Sequence, residues 1–464
     1  MADIGEKCAV FGVYGKRLEV ARLAFFGLFA LQHRGQESSG IATADGGKLY
    51  VHRGMGLVAQ VYNEEDIKKM PGHISVGHNR YSTAGGSKVE HAQPMMDTKE
   101  RFALAHNGNL PSTTALWNYL QESRESDKED SDTRFIVNAL ASAMDQGDSL
   151  EEAVKRIYPL MTGAFSILIM GTDRLIAIRD RCGIRPLSMA KVGGGIAFSS
   201  ETCALHTIDA EFLRDVAPGE MIVVDESGVH SEQLAPADPK FDVFEFVYFS
   251  RPDSELLGKS VYGVRKNFGK KLAQERKINA DVVIPVPETS NPVAIGYSQA
   301  SLIPMELGLA KNRYIHRTFI QPEQHMREQG VKMKLSPVPE VIKGKRVIVV
   351  DDSIVRGTTS RQIVEMLFET GAKEVHFVVS SPPVRFPDFY GIDTPRQDQL
   401  IAAMKSEDEV QQYLKATSLQ YLSLKGMIDS IGVPESQLNT SCFTGKYPID
   451  IGHNAKKIMF DARG

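Results

Sequence analysis

The string Arg346 to Thr359, RVIVVDDSIVRGTT, constrains this chain more than any other. A short apolar run ends in two adjacent acids, a loop of small residues follows, and a helix is expected over about Ser360 to Glu369. Ile363, Val364, Leu367 and Phe368 would form its apolar face, and Gly371 its stop. Other apolar runs in the second half, ADVVIPV and EVHFVVS, alternate with helical segments, which predicts a parallel sheet with crossover helices. The first half reads differently. CAVFGVYG, GIATADGGKLYVHRGMG, RFALAHNGNL, GAFSILIMGTDRLIAIRD and GEMIVVDESGVH are β-branched or aromatic runs punctuated by glycine, which predicts antiparallel sheets. Helices are expected over Asp132 to Met144 and Leu150 to Met161, so this half should be packed sheets with flanking helices. The fold class is therefore α/β with two domains. The polar, proline-containing stretch Ser231 to Lys240 is the expected linker, dividing a domain over 8–240 from one over 241–464.

With 464 residues the chain is long enough for each domain to bury its own core. A formal net charge of -4 gives no support for a nucleic-acid or membrane-surface partner. The longest apolar run, Leu23 to Leu31, is far short of the roughly 20 residues of a membrane span. No basic-then-apolar leader opens the chain, so a cytoplasmic protein is expected. The four cysteines, Cys8, Cys182, Cys203 and Cys442, form no CxxC pair and suggest no disulfide framework.

A loop rich in glycine and threonine that opens a helix suits a phosphate, because backbone N–H groups and hydroxyls converge at the positive helix end. Acids at the strand's carboxyl end, Asp351 and Asp352, can hold ribose hydroxyls or Mg²⁺. A lone acidic pair would be an ordinary helix cap; the whole string is what points to phosphate. This string resembles the signature of the type I phosphoribosyltransferases, which bind a ribose 5-phosphate carrying a 1-pyrophosphate. The resemblance implies that Asp351 and Asp352 contact ribose and metal, and that Ser353, Arg356, Gly357, Thr358 and Thr359 hold the 5-phosphate. VIPVPETSNP, Val283 to Pro292, looks like that family's pyrophosphate-side loop, with Thr289 near one Mg²⁺. Between the motifs, Lys311 to Val338 carries Lys311, Arg313, His316, Arg317, Arg327, Lys332 and Lys334. On charge alone this is a solvated face; beside two phosphate motifs it is expected to be a basic lid, with Lys311 and Arg317 on phosphoribosyl pyrophosphate.

Near the start, Cys8 alone would read as a small buried hydrophobe. Its companions are LQHRGQESSGIA (Leu31 to Ala42), GHNRYSTAGG (Gly77 to Gly86), LAHNGNL (Leu104 to Leu110) and SDTRFI (Ser131 to Ile136). Together they resemble the class II, N-terminal-nucleophile glutamine amidotransferases over some 230 residues. That resemblance implies an αββα sandwich and a cysteine nucleophile whose own α-amino group is the base. Residues 1–7 would then be a propeptide cleaved after Lys7. It further implies an oxyanion hole of Asn107 and the Gly108 N–H. Arg80 would take the glutamine α-carboxylate, Asp132 its α-ammonium with Thr83 nearby, and Arg34 would help close the site. Cys182 and Cys203 fall in strings of the same half, away from the nucleophile's place, and are expected to be structural.

A glutaminase half followed by a phosphoribosyltransferase half resembles the amidophosphoribosyltransferase family, which makes 5-phosphoribosylamine in purine synthesis. FEFVYFSRPDS (Phe244 to Ser254), SVYGVR (Ser260 to Arg265) and CFTGKYP (Cys442 to Pro448) extend the likeness over nearly the whole chain. It implies inhibition by purine nucleotides, a homotetramer, and coupling residues among which Tyr262 and Arg265 are candidates. One branch of the family carries a four-cysteine iron–sulfur cluster. At those places this chain has Asp242, Asp388, Asn439 and Cys442, so no cluster is expected. Two other readings remain: a non-catalytic sensor of phosphoribosyl pyrophosphate or nucleotides, and an amidotransferase with a different acceptor. Retention of a thiol at Cys8 speaks against the first, and the phosphoribosyl character of the second half against the other.

Overall fold

The structure, a computed structural model, describes residues 8–81, 89–121, 131–312, 334–391, 394 and 396–452. The first half contains two antiparallel sheets. One has seven strands in the order Glu211–Asp215, Ser188–Val192, Gly195–Ser199, Ala9–Tyr14, Ile74–Arg80, Ser38–Asp45 and Lys48–Met55. The other has six: Gly228–Gln233, Glu220–Asp225, Leu175–Arg179, Thr162–Met170, Ala103–Ser112 and Met95–Met96. Strand alternation builds the layers. Phe11 and Val13 pack with Ala24 and Leu28 of helix Val20–Ala30, whereas Val10 packs against Leu168 and Met170 of the other sheet. On that second sheet Phe165, Ile167 and Ile169 turn outward onto helices Asp132–Asp145 and Leu150–Ile157. The result is helix, sheet, sheet, helix, the expected sandwich.

The second of these helices stops earlier than expected. Its α-turns end at Ile157, and Tyr158–Leu160 form a 3₁₀ turn around Pro159, which has no N–H to continue the ladder. The expected linker also shortens at its start, because Ser231, Glu232 and Gln233 pair with Ile222, Met221 and Glu220.

In the second half four parallel strands lie in the order Val282–Pro285, Arg346–Asp351, Glu374–Val379 and Ser418–Tyr421. Helices Val261–Glu275 and Asn291–Ser301 cover one face through Phe268, Leu272 and Tyr297. Helices Thr358–Glu369 and Glu407–Leu414 cover the other through Ile363, Val364, Leu367 and Leu414. Both faces of Val347, Ile348, Val349 and Val350 are thus buried, which explains an unbroken apolar run. Helix Thr358–Glu369 starts two residues earlier than the apolar pattern suggests; Ile363, Val364 and Leu367 are buried as expected, whereas Phe368 is 37% exposed and Met366 is buried instead. Among the described residues no helix is long and apolar enough to cross a membrane.

Phe241–Asp242 pair in parallel with Leu438–Asn439, tying the start of the second half to its own C-terminal part.

Candidate functional site

Cys8 stands just before the central strand Ala9–Tyr14, half-buried, with its Sγ 3.9 Å from the Tyr81 carbonyl oxygen. It opens on a cavity of about 250 Å³ lined also by Arg80, His106, Gly108, Leu110, Asp132 and Thr133. Burial pushes the Cys8 thiol up, while the Tyr81 carbonyl contact and Arg80 pull the other way. A thiol raised in this manner is protonated near neutrality and needs a base to become a nucleophile.

Two strands and one helix bring the rest together. Arg80 ends strand Ile74–Arg80, 9% exposed, with its Nη1 3.2 Å from Glu37 Oε2. Asp132 opens helix Asp132–Asp145; its Oδ1 accepts from the Thr133 N–H at 2.7 Å and its Oδ2 from the Leu110 N–H at 3.2 Å. The cavity thus has a cation and a carboxylate on its wall, the pair an α-amino acid needs. Asn107 and Gly108 lie on strand Ala103–Ser112, and Asn107 Nδ2 donates to Ser200 Oγ at 3.4 Å. A Cβ on Gly108 would stand 2.0 Å from the Ala164 carbonyl oxygen, so the backbone here can approach its neighbour only as glycine. Thr83 lies outside the described residues.

Arg34 is placed differently from the expectation that it helps close the glutamine site. It is 1% exposed and sits behind Cys8, donating from Nε to the Cys8 carbonyl at 3.4 Å. Its Nη1 meets Glu201 Oε1 at 2.5 Å and its Nη2 meets Glu245 Oε1 at 2.9 Å. Burial works against the Arg34 charge, but Glu245 and Glu201 outweigh it and raise the group further. Burial alone would likewise push Glu201 up, yet His33 and Arg34 hold it down at about 2. Sequence reasoning missed His106, Thr133, Glu201 and Glu245, although His106, Thr133 and Glu245 lie within strings quoted above, LAHNGNL, SDTRFI and FEFVYFSRPDS, and Glu201 stands two residues before Cys203. Cys182 and Cys203 are both buried, and burial pushes both thiols up.

In the second half Asp351 ends its strand and Asp352 follows, 1% and 3% exposed. Asp351 Oδ1 accepts from the Asp352 N–H at 2.9 Å, and Ser353 Oγ donates to Asp352 Oδ1 at 2.8 Å. Burial, and then the neighbouring Asp351, push the Asp352 carboxyl up to about 7. Gly357 caps helix Thr358–Glu369 with φ 77°, the left-handed region that glycine adopts freely. Arg356 and Thr358 are exposed and Thr359 half-buried at this helix start. Thr289 is half-buried in the loop leaving the adjacent strand, whose Val286 N–H bonds the Val350 carbonyl at 2.8 Å. Lys311 Nζ lies 3.8 Å from Glu288 Oε2 in that same loop. Leu309–Lys311 pair antiparallel with Leu335–Pro337, a ribbon at the base of the expected lid; Arg317 and the rest of 313–333 lie outside the described residues.

Two adjacent buried carboxylates suit a hard cation that keeps waters and phosphate oxygens as its other ligands. Among the described residues no group of three or more His, Cys, Asp or Glu could hold a metal ion. The four positions compared with cluster ligands do converge. Asp242 pairs with Asn439, Cys442 Sγ lies 4.0 Å from Asp388 Oδ2, and Arg185 sits between the acids at 2.8 Å from Asp242 Oδ2 and 3.8 Å from Asp388 Oδ1. The guanidinium pairs with these carboxylates, and a single thiol at the four positions falls short of the four thiolates that hold a cubane cluster.

A glutamine amidotransferase domain model matches residues 78–207, and a phosphoribosyl transferase domain model matches 255–382. The amidophosphoribosyltransferase of Synechocystis is 48% identical over 453 residues, covering 96% of this chain and 92% of that one. The Bacillus subtilis and Methanocaldococcus jannaschii proteins of the same name are 44% and 43% identical over 97% of this chain, and over 95% and 99% of their own. The chain belongs to the amidophosphoribosyltransferase family. A solved glutamine phosphoribosylpyrophosphate amidotransferase from B. subtilis, complexed with ADP and GMP, superposes with a TM-score of 0.90 at 44% identity, covering 96% of this chain and 98% of the other. As an amidophosphoribosyltransferase the chain is an enzyme, joining a glutamine amidotransferase to a phosphoribosyltransferase that serves purine biosynthesis.

Proposed function

We propose that this amidophosphoribosyltransferase uses Cys8 to take ammonia from glutamine and delivers it to C1 of phosphoribosyl pyrophosphate, giving 5-phosphoribosylamine, glutamate and pyrophosphate. The observation that carries the glutamine end is the cavity on which Cys8, Arg80 and Asp132 all open. Arg80 takes the α-carboxylate, Asp132 with Thr83 the α-ammonium, and the amide carbon then faces Sγ. Cleavage after Lys7 frees the Cys8 amine, whose ordinary pKa of about 7.7–8.0 suits it to accept the thiol proton. The thiolate adds to the amide carbon, and the oxyanion accepts hydrogen bonds from Asn107 Nδ2 and the Gly108 N–H. The amine returns its proton to the departing ammonia, and water releases glutamate from the thioester. Arg34 acts from behind by fixing the Cys8 carbonyl.

At the other end Ser353, Arg356, Gly357, Thr358 and Thr359 receive the 5-phosphate at the helix start, and Asp351 and Asp352 receive the ribose. Lys311 and Arg317 serve the phosphates. Asp351, Asp352 and Thr289 would hold one Mg²⁺, which neutralises charge on the pyrophosphate leaving group. Ammonia bonds to C1 as the C1–O bond to pyrophosphate breaks, the electron pair leaving with pyrophosphate. The enzyme is read as a cytoplasmic homotetramer without an iron–sulfur cluster, since Cys442 is the single thiol at the compared positions. Purine nucleotides are read as its inhibitors, supported by the ADP and GMP in the B. subtilis complex.

The test is pyrophosphate release from phosphoribosyl pyrophosphate with Mg²⁺ and glutamine, alongside N-terminal sequencing and intact mass. Release that needs glutamine, in protein beginning at Cys8, is expected. Full activity in protein that keeps Met1 would remove the amine-as-base step.

A further inference from the structure

Gln93 lines the glutamine cavity, is 6% exposed, and uses both ends of its side-chain amide. Its Oε1 accepts the His106 N–H at 2.6 Å, from the residue just before Asn107 and Gly108 on strand Ala103–Ser112. Its Nε2 donates to Thr133 Oγ1 at 3.2 Å, and that hydroxyl donates to Asp132 Oδ1 at 3.3 Å. Chemistry fixes the direction of this chain of bonds. A backbone N–H can only donate and a carboxylate can only accept. The amide oxygen therefore faces the strand, the amide nitrogen faces helix Asp132–Asp145, and the hydroxyl relays between them. The backbone of Gln93 is held as firmly. Arg53 Nη1 donates to the carbonyls on either side, Ala92 at 2.9 Å and Pro94 at 3.4 Å. A Cβ on Gly40 would stand 2.0 Å from the Gln93 carbonyl oxygen, so strand Ser38–Asp45 closes on it.

A buried amide bonded at both ends holds its two partners at a set separation, because a donor or acceptor left unmet there would carry a desolvation penalty. The two walls that Gln93 joins act on opposite ends of one substrate. The strand carries Asn107 and Gly108, which serve the amide end of glutamine, and Asp132 serves its α-ammonium end. Glutamine has a fixed reach between those ends. The separation of the walls thus decides whether the amide carbon arrives at Cys8 Sγ in a reactive pose.

We propose that Gln93 is a positioning residue of the glutaminase reaction, whose amide sets the spacing between the oxyanion donors and the α-ammonium acceptor and so selects an amino acid of glutamine length. The inference rests on the glutamine-site reading above and adds the residue that gauges the substrate.

The experiment measures how fast Cys8 is alkylated by two reagents. One is the diazoketone analogue of glutamine, which has the α-amino acid end and the length of the substrate; the other is iodoacetamide, which has neither. The ratio of the two rates is read in the wild type, in Gln93→Met and in Gln93→Glu. Gln93→Met keeps side-chain length and loses both hydrogen bonds, whereas Gln93→Glu keeps an acceptor for the His106 N–H and loses the donor to Thr133. The expected result is a ratio that falls about tenfold or more in both variants. A residue that only supports the fold would move the two rates together, so a wild-type ratio in the folded variants overturns the proposal. If Gln93→Met fails to fold, Gln93→Glu decides alone by the same ratio. Wild-type labelling by the diazoketone that added glutamine does not slow would instead overturn the glutamine-site reading.

Discussion

Asn109 Nδ2 donates to the Phe389 carbonyl oxygen at 2.9 Å, which ties the strand carrying Asn107 and Gly108 to a loop from the other half of the chain. Two residues on, Gly391 lies so close that a Cβ there would be 3.1 Å from the Gly108 carbonyl carbon. The floor of the glutamine cavity is thus part of the domain interface.

Asn109→Ala should leave both half-reactions able to run but loosen their connection. One lost hydrogen bond costs about 1 kcal/mol, too little to unfold the domain. Glutamate release should outrun pyrophosphate release, and simultaneous assay of the two products checks it. Equal release of both products, as in the unaltered chain, would refute the link.

Gly108→Ala brings a methyl against the Ala164 carbonyl and displaces a proposed oxyanion donor. Glutamine-dependent activity should fall by about 10²–10³, the usual loss for one such donor. Ammonia-dependent pyrophosphate release should persist, and steady-state rates with each nitrogen source distinguish the two.

Asp352→Asn removes one of two buried carboxylates at the strand end. Pyrophosphate release should drop about 30-fold or more with glutamine or ammonia alike, from loss of a charged contact of roughly 2 kcal/mol. Glutamine hydrolysis without the ribose substrate is the internal control. A variant that loses activity only with glutamine would place Asp352 outside the ribose site.

Glu201 predicts a pH effect on stability. Its folded pKa, about 2, is below the ordinary carboxyl value of 4.5. The folded state therefore binds fewer protons than the unfolded one between these values, so the stabilisation is complete above about pH 4.5 and is lost as pH falls through 2. At neutral pH it is on the order of 3 kcal/mol. Denaturant unfolding at stepped pH should show a steeper acid loss in the wild type than in Glu201→Gln. Parallel curves for the two proteins would contradict the assignment.

What the sequence alone determined was local. Asp351, Asp352, Gly357 and Thr358 are neighbours along the chain, so strand, acid pair, loop and helix start are legible where they stand. The strings around Cys8, Arg80, Asn107 and Asp132 are likewise short, and the cavity does unite those four regions apart from the Asn107 side chain, which turns to Ser200. Helix ends were less legible, because Met366 and Phe368 differ in burial only through the sheet they meet. Tertiary structure alone decided where Arg34 sits. Its partners Glu201 and Glu245 lie 167 and 211 residues away, and no periodicity or spacing encodes a bond across such a distance. The same holds for Arg185, which meets Asp242 and Asp388 only after two domains have folded and closed on each other. A charged side chain reads as solvated in a sequence; burial opposite a carboxylate is a property of the packed chain.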